Sequence, residues 1–163
     1  MKSPESLKKI LIAVEDSPYS DHAVKYGFGV ARKFNAEVAL VHVNEIAVST
    51  PYIADPFLNE TQLGVAEIPE LMHIQEDASR HLFDRIEQEH GEGITLYTFN
   101  KIGRPKDEIL ATADECNADL IILGTHGRTG FDHFISGSVA ESVLRRAKCP
   151  VLIIPNPTAE KTE

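Results

Sequence analysis

At 163 residues, 42% of them hydrophobic and 25% charged, the chain suits one globular domain, residues 1–163, with a sizeable core. The formal charge of -9 argues against nucleic acid or an anionic membrane as the main partner, since both favour clustered Lys and Arg. No apolar run approaches the roughly 18–20 residues that span a bilayer, and MKSPESLKK holds no apolar signal-peptide core. The expected location is therefore the cytoplasm, with Cys116 and Cys149, which lack C-x-x-C spacing, reduced and acting as small core residues.

KILIAV, Lys9 to Val14, is a β-branched run that reads as a strand buried on both faces. Ser17 is a good helix N-cap and Pro18 a good first helical residue. Ala23, Tyr26, Val30 and Phe34 recur at helical spacing, which predicts a helix over 18–34 closed by Asn35-Ala36. Glu37 to Val43 is the second strand. Periodicity then fails over 45–68, which reads as a long flexible loop with a short helix near Glu60-Gln62. Leu71, Ala78, Leu82 and Ile86 form a stripe that predicts a helix over 69–90, stopped by Gly91 and Gly93. Thr95 to Phe99 alternates and reads as a half-exposed strand near a sheet edge.

Gly103-Arg104-Pro105 turns the chain into a helix with Ile109, Ala113 and Cys116 on one face. Asp119 to Leu123 is the fourth strand, broken at Gly124. A helix is expected over 137–148, with Val139, Val143, Leu144 and Ala147 in its pattern and Arg145, Arg146 and Lys148 complementing its dipole. Val151 to Ile154 is the last strand, and 156–163 a frayed tail. Strands alternating with helices predict an α/β fold, a doubly wound five-stranded parallel sheet of order 3-2-1-4-5 with helices on both faces. Ligands of such sheets sit at the carboxyl ends of strands where the order switches, here the first and fourth. Those ends carry Glu15-Asp16-Ser17 and Gly124-Thr125-His126.

A buried strand, a glycine-rich loop and a helix start make an anion site, because unpaired N–H groups and the positive end of the helix dipole converge. Here the order is strand, Gly124-x-x-Gly127, nine residues, Gly137-Ser138, helix, then Cys149-Pro150-Val151. This ordered set resembles the ATP-binding branch of the universal stress protein family. The resemblance extends over nearly the whole chain, through ILIAV, Leu40-Val41-His42-Val43, Gly103-Arg104-Pro105 and Ala118-Asp119-Leu120-Ile121.

The resemblance implies ATP, ADP or AMP held with Mg²⁺. Glycine admits left-handed dihedrals and close approach of a phosphate. Gly127 would leave room for ribose and the first phosphate, and Gly137 and Ser138 would meet the outer phosphates, with the Ser138 hydroxyl reaching Mg²⁺. Read singly, the glycines are only turn residues and Ser138 only a cap. Arg128 either pairs with phosphate or is a solvated loop residue. Val43 is carried over as an adenine-edge contact through its backbone, against the plainer reading of a strand residue. The full candidate set is Ala13, Glu15, Asp16, Ser17, Val43, Gly124, His126, Gly127, Arg128, Gly130, Gly137, Ser138 and Val139. The family's Asp-x-Ser at the first strand end is replaced by Glu15-Asp16-Ser17.

No catalytic residue is assigned. His126 and His133 have no paired nucleophile or acid in sequence, and zinc-ligand spacings are missing. At most slow hydrolysis is expected. The resemblance also implies a homodimer through Val151–Ile154, consistent with an apolar edge. Three alternatives stand beside this reading. A response-regulator receiver is opposed by Gly124 at the acceptor position and by the lack of Lys after Ile154. A nucleotide-free dimeric interaction module and a nucleotidyltransferase or hydrolase share the fold.

Overall fold

The apolar runs become the strands of one sheet. A computed structural model describes residues 7–45, 68–125 and 139–155 of the protein. Within them strands and helices alternate: β1 (Lys9–Ala13), α1 (Pro18–Phe34), β2 (Glu37–Asn44), α2 (Ile68–His90), β3 (Leu96–Ile102), α3 (Pro105–Glu115), β4 (Leu120–Gly124), α4 (Val139–Arg146) and β5 (Val151–Ile154). All pairings are parallel, as the alternation predicts, and the order is the expected β3-β2-β1-β4-β5. β1 is central: Ala13 stands opposite Val41 on one side and Ile12 opposite Ile122 on the other.

Successive strand residues point to opposite faces, and the two cores follow that parity. Ile10, Ile12, Val38, Leu40 and Ile122 pack with Ala23, Val24 and Phe28 of α1 and Leu82, Phe83 and Ile86 of α2. Leu11, Ala39, Val41, Ile121 and Leu123 pack with Ile109 and Ala113 of α3 and Ala140 and Val143 of α4. Each such fully buried aliphatic side chain stabilises the fold by about 1.5–3 kcal/mol.

Several helix faces differ from the periodicity reading. α1 buries Ser20, Ala23, Val24, Gly27, Phe28 and Ala31, while Tyr26 and Phe34 are exposed. The true stripe lies one position later, through Gly27 and Ala31, where α1 comes so close to the sheet that a Cβ on Gly27 would stand 2.4 Å from Ile12 Cδ1. α2 buries Ser79, Leu82, Phe83 and Ile86, leaving Leu71 and Ala78 exposed. In α4, Ala140 and Val143 are inside, whereas Val139 and Leu144 are exposed.

Gly124 does not break β4. It is the last paired residue, opposite Ile154, and the Thr125 N–H donates to the Ile154 carbonyl at 3.0 Å. α1 closes as expected at Asn35, whose φ of 52° is left-handed and whose N–H returns to Ala31 and Arg32. β3 is an edge, with Lys9 Nζ 4.6 Å from the Tyr97 ring centre, and Lys101 near Phe99 and ion-paired with Glu115 at 2.7 Å. β5 is the other edge, with Val151, Leu152 and Ile153 half-buried. The expected helix near Glu60-Gln62, the 45–68 loop beyond Glu45, the helix start at 137–138 and the 156–163 tail lie outside the described residues.

Candidate functional site

The switch point falls where predicted, between β1 and β4, whose carboxyl ends are adjacent. The chain leaving β1 is held at nearly every polar backbone group. The Val14 N–H donates to the Val41 carbonyl at 2.9 Å, and the Val14 carbonyl lies 2.9 Å from His42 Nδ1. The Glu15 N–H donates to Ser20 Oγ at 3.0 Å, and the Ser17 N–H to the Glu15 carbonyl at 2.9 Å. Ser17 is the α1 N-cap, with extended φ of -153° and ψ of 151°, accepting from the Ser20 N–H at 3.3 Å. Its hydroxyl proton goes to Glu15 Oε1 at 3.0 Å.

Asp16 points elsewhere. Its carboxylate faces Arg85 of α2 at 3.4 Å, and Arg85 also donates to Asp21 at 3.1 Å. Partial burial works against the Arg85 charge, but the hydrogen bond to Asp21 and the fields of Asp21, Glu89 and Asp16 outweigh it and raise its pKa. Asp16 and Asp21 thus stand against one guanidinium, while Glu15 turns to the Ser17 hydroxyl beside them. This wall is acidic, so it suits hydroxyl or amine donors and repels phosphate.

Ala13 and Val43 border the α3/α4-side core, and Ala140 in the first turn of α4 belongs to that same core. The fold therefore sets Ala13 and Val43 on the face of the sheet that α4 covers, with Gly124 at the end of β4. His126, Gly127, Arg128, Gly130, Gly137 and Ser138 lie outside the described residues, as does the Mg²⁺ role of Ser138. No cluster of three or more His, Cys, Asp or Glu suited to a metal occurs among the described residues.

His42 and Arg85 went unrecognised in the sequence. The available signal for His42 was parity: it shares the inward face of β2 with Val38 and Leu40. Arg85 meets Asp16 across 69 positions, and no local pattern foretells that contact.

A cavity of about 210 Å³ lies at the opposite, amino end of the sheet, between α3 and α4. Leu110, Ala113, Ala118 and Cys149 line it, with the Lys148–Asp114 ion pair of 2.6 Å beside them. Both cysteines are free and half-buried, and burial pushes both thiols up, so they sit protonated at neutral pH. That cavity is remote from the switch point. No helix among the described residues is long and apolar enough to cross a membrane.

Known proteins share both sequence and fold. The universal stress protein MJ0531 of Methanocaldococcus jannaschii is 33% identical over 153 residues, covering 94% of this chain and 85% of its own. Among solved structures, hypothetical protein MJ0577 aligns with a TM-score of 0.74 at 25% identity, over 96% of this chain and 99% of its own. A universal stress protein in complex with cAMP gives a TM-score of 0.61 at 22% identity, over 91% and 97% of the two chains. One from Archaeoglobus fulgidus in complex with dAMP gives 0.54 at 23%, over 90% and 97%. The sequence profile of the universal stress protein family matches residues 6–155. With its five-stranded parallel sheet and that match, the chain belongs to the universal stress protein family.

Proposed function

We propose that this protein binds ATP, or ADP or AMP, at the switch point and acts as a cytoplasmic stress-response regulator with at most slow hydrolysis. The observation that carries the reading is the placement of Gly124, the first glycine of the Gly124-x-x-Gly127-x9-Gly137-Ser138 set, at the end of β4 beside the β1 turn. The Glu15 carboxylate suits ribose hydroxyls, which leaves phosphates and Mg²⁺ to the glycine set and Ser138. Val43 would meet the adenine edge, beside Ala13. The cAMP and dAMP complexes of fold neighbours support an adenine nucleotide as the ligand class. Homodimerisation through Val151–Ile154 is part of the proposal, supported by the apolar β5 edge.

Native mass spectrometry of freshly purified protein tests these points together: dimer mass and retained adenine nucleotide are expected. No retained nucleotide and no saturable binding at millimolar Mg-ATP would sink the reading. Gly127→Val is expected to abolish binding while the domain stays folded. A second reading, a nucleotide-free interaction module, draws on Leu71, Met72 and Ile74, all exposed at the start of α2. It predicts a partner captured equally by wild type and Gly127→Val.

A further inference from the structure

We infer that His42 is a positioning residue for the nucleotide, ending β1 at the right residue so that the backbone of Val43 stays open to the ligand. The inference rests on the nucleotide-binding reading above and names a residue that acts through the chain rather than by touching the base. Two backbone bonds set the geometry: the Glu37 N–H donates to the Lys8 carbonyl at 2.8 Å, and the Val14 N–H to the Val41 carbonyl at 2.9 Å. Odd-numbered residues of β2 therefore turn their polar backbone groups toward β1.

Val43 is the next odd residue. With Ala13 opposite Val41, it stands level with Glu15, just past the last paired residue of β1. A continuing parallel ladder would run from the Val43 N–H to the Val14 carbonyl. That carbonyl instead faces the imidazole of His42 at 2.9 Å. Beside a carbonyl, Nδ1 must carry the proton, which fixes the tautomer. The ring is 9% exposed and shares its face of β2 with buried Leu40, so it has little freedom to let go. The tether draws the Val14 carbonyl toward the α1/α2 face, and Glu15 departs into the Ser17 cap instead of extending the strand. The N–H and C=O of Val43 are left at an open strand end, in the adjacent donor and acceptor arrangement that an adenine edge matches.

The test compares wild type, His42→Leu and His42→Asn by calorimetric titration with Mg-ATP, with thermal unfolding measured alongside. Asn places an amide N–H near the Nδ1 position. His42→Leu is expected to weaken ATP about tenfold, the scale of one lost orienting hydrogen bond, and His42→Asn to restore most of it. A role confined to stability would move the unfolding temperature of both variants and leave affinity unchanged; that result overturns the inference, as does a folded His42→Asn that binds no better than His42→Leu. Should His42→Leu fail to fold, ¹⁵N NMR of the wild-type ring decides: the Nδ1–H tautomer supports the inference and the Nε2–H tautomer overturns it. Wild type that ignores ATP refutes the nucleotide reading itself, whereas wild type that binds alongside an equally tight His42→Leu refutes only the role of His42.

Discussion

Ser17 Oγ donates to the Glu15 carboxylate across 3.0 Å. The same oxygen caps α1 by accepting the Ser20 N–H, so the Glu15 side chain folds back onto the cap of the helix that follows it. Ser17→Ala removes both bonds. It is expected to destabilise the protein by about 1 kcal/mol, lowering the unfolding temperature by roughly 2–4 °C. Urea denaturation with an unchanged slope is the check; no shift would mean the cap is redundant.

Gly27 and Gly29 sit two residues apart in α1 and should respond oppositely to alanine. A Cβ at Gly27 would meet Ile12 Cδ1 at 2.4 Å and Cγ1 at 3.1 Å, while one at Gly29 meets nothing within 4 Å. Ile12 is fully buried between β2 and β4, so it has no room to give. Gly27→Ala is expected to destabilise by about 1–3 kcal/mol, and Gly29→Ala to stabilise by about 0.5–1 kcal/mol through helix propensity. Paired denaturation curves of the two variants read this directly.

Arg85 ties α2 to the β1–α1 turn through Asp16 and Asp21. All three groups are substantially solvated, so Arg85→Gln is expected to cost only about 0.5–1 kcal/mol. The difference from wild type should shrink as ionic strength rises. A cost that stays constant between low and molar salt would show that packing of the arginine stem, not its charge, holds the turn.

Asp107 predicts a pH dependence. Its hydrogen bond from Arg146, 2.7 Å long, and the nearby charge of Arg146 hold its carboxyl below the usual carboxylate value. A carboxylate whose folded pKa is depressed adds stability that is present above its unfolded pKa of about 3.9 and is lost as pH falls through the lower folded value. Wild type should therefore exceed Asp107→Asn in stability at neutral pH, by a small margin for so exposed a pair. The two curves should converge below pH 4. A gap that persists in acid would contradict the ion-pair origin.

The thiols give the opposite sign. Burial raises the pKa of Cys116 and Cys149 in the folded chain, so their contribution to stability is full below the unfolded thiol value of about 8.5 and declines as pH rises through the folded value. Iodoacetamide at neutral pH should alkylate native protein more slowly than urea-unfolded protein, with the native rate climbing above pH 9. Equal rates at neutral pH would mean that the thiols are not shielded.

The strands were legible because a strand buried on both faces has to be apolar throughout, and KILIAV and LIIL can be little else. Their parallel pairing followed from the alternation with helices, which several strand orders share. Helix faces were less legible. A stripe through Tyr26 and Phe34 fits 3.6-residue spacing as well as the true one through Gly27 and Phe28, and only the close approach of α1 to Ile12 separates them. At the site, the Ser17 cap could be read from neighbouring residues. The Arg85–Asp16 pair could not, since the two meet only after α2 docks. The grip of His42 on Val14 depends on strand register, which no local spacing encodes.

The two margins of the sheet are chemically unlike. β3 carries Lys101 against Phe99 and Glu115, and Tyr97 lies beneath Lys9. β5 carries only Val, Leu and Ile. Charged side chains on one margin discourage another strand from docking there, while the apolar margin welcomes one. Such a sheet has a single sticky side. If two copies pair along β5, as proposed, each is left with only its charged β3 margin, which disfavours further strand addition.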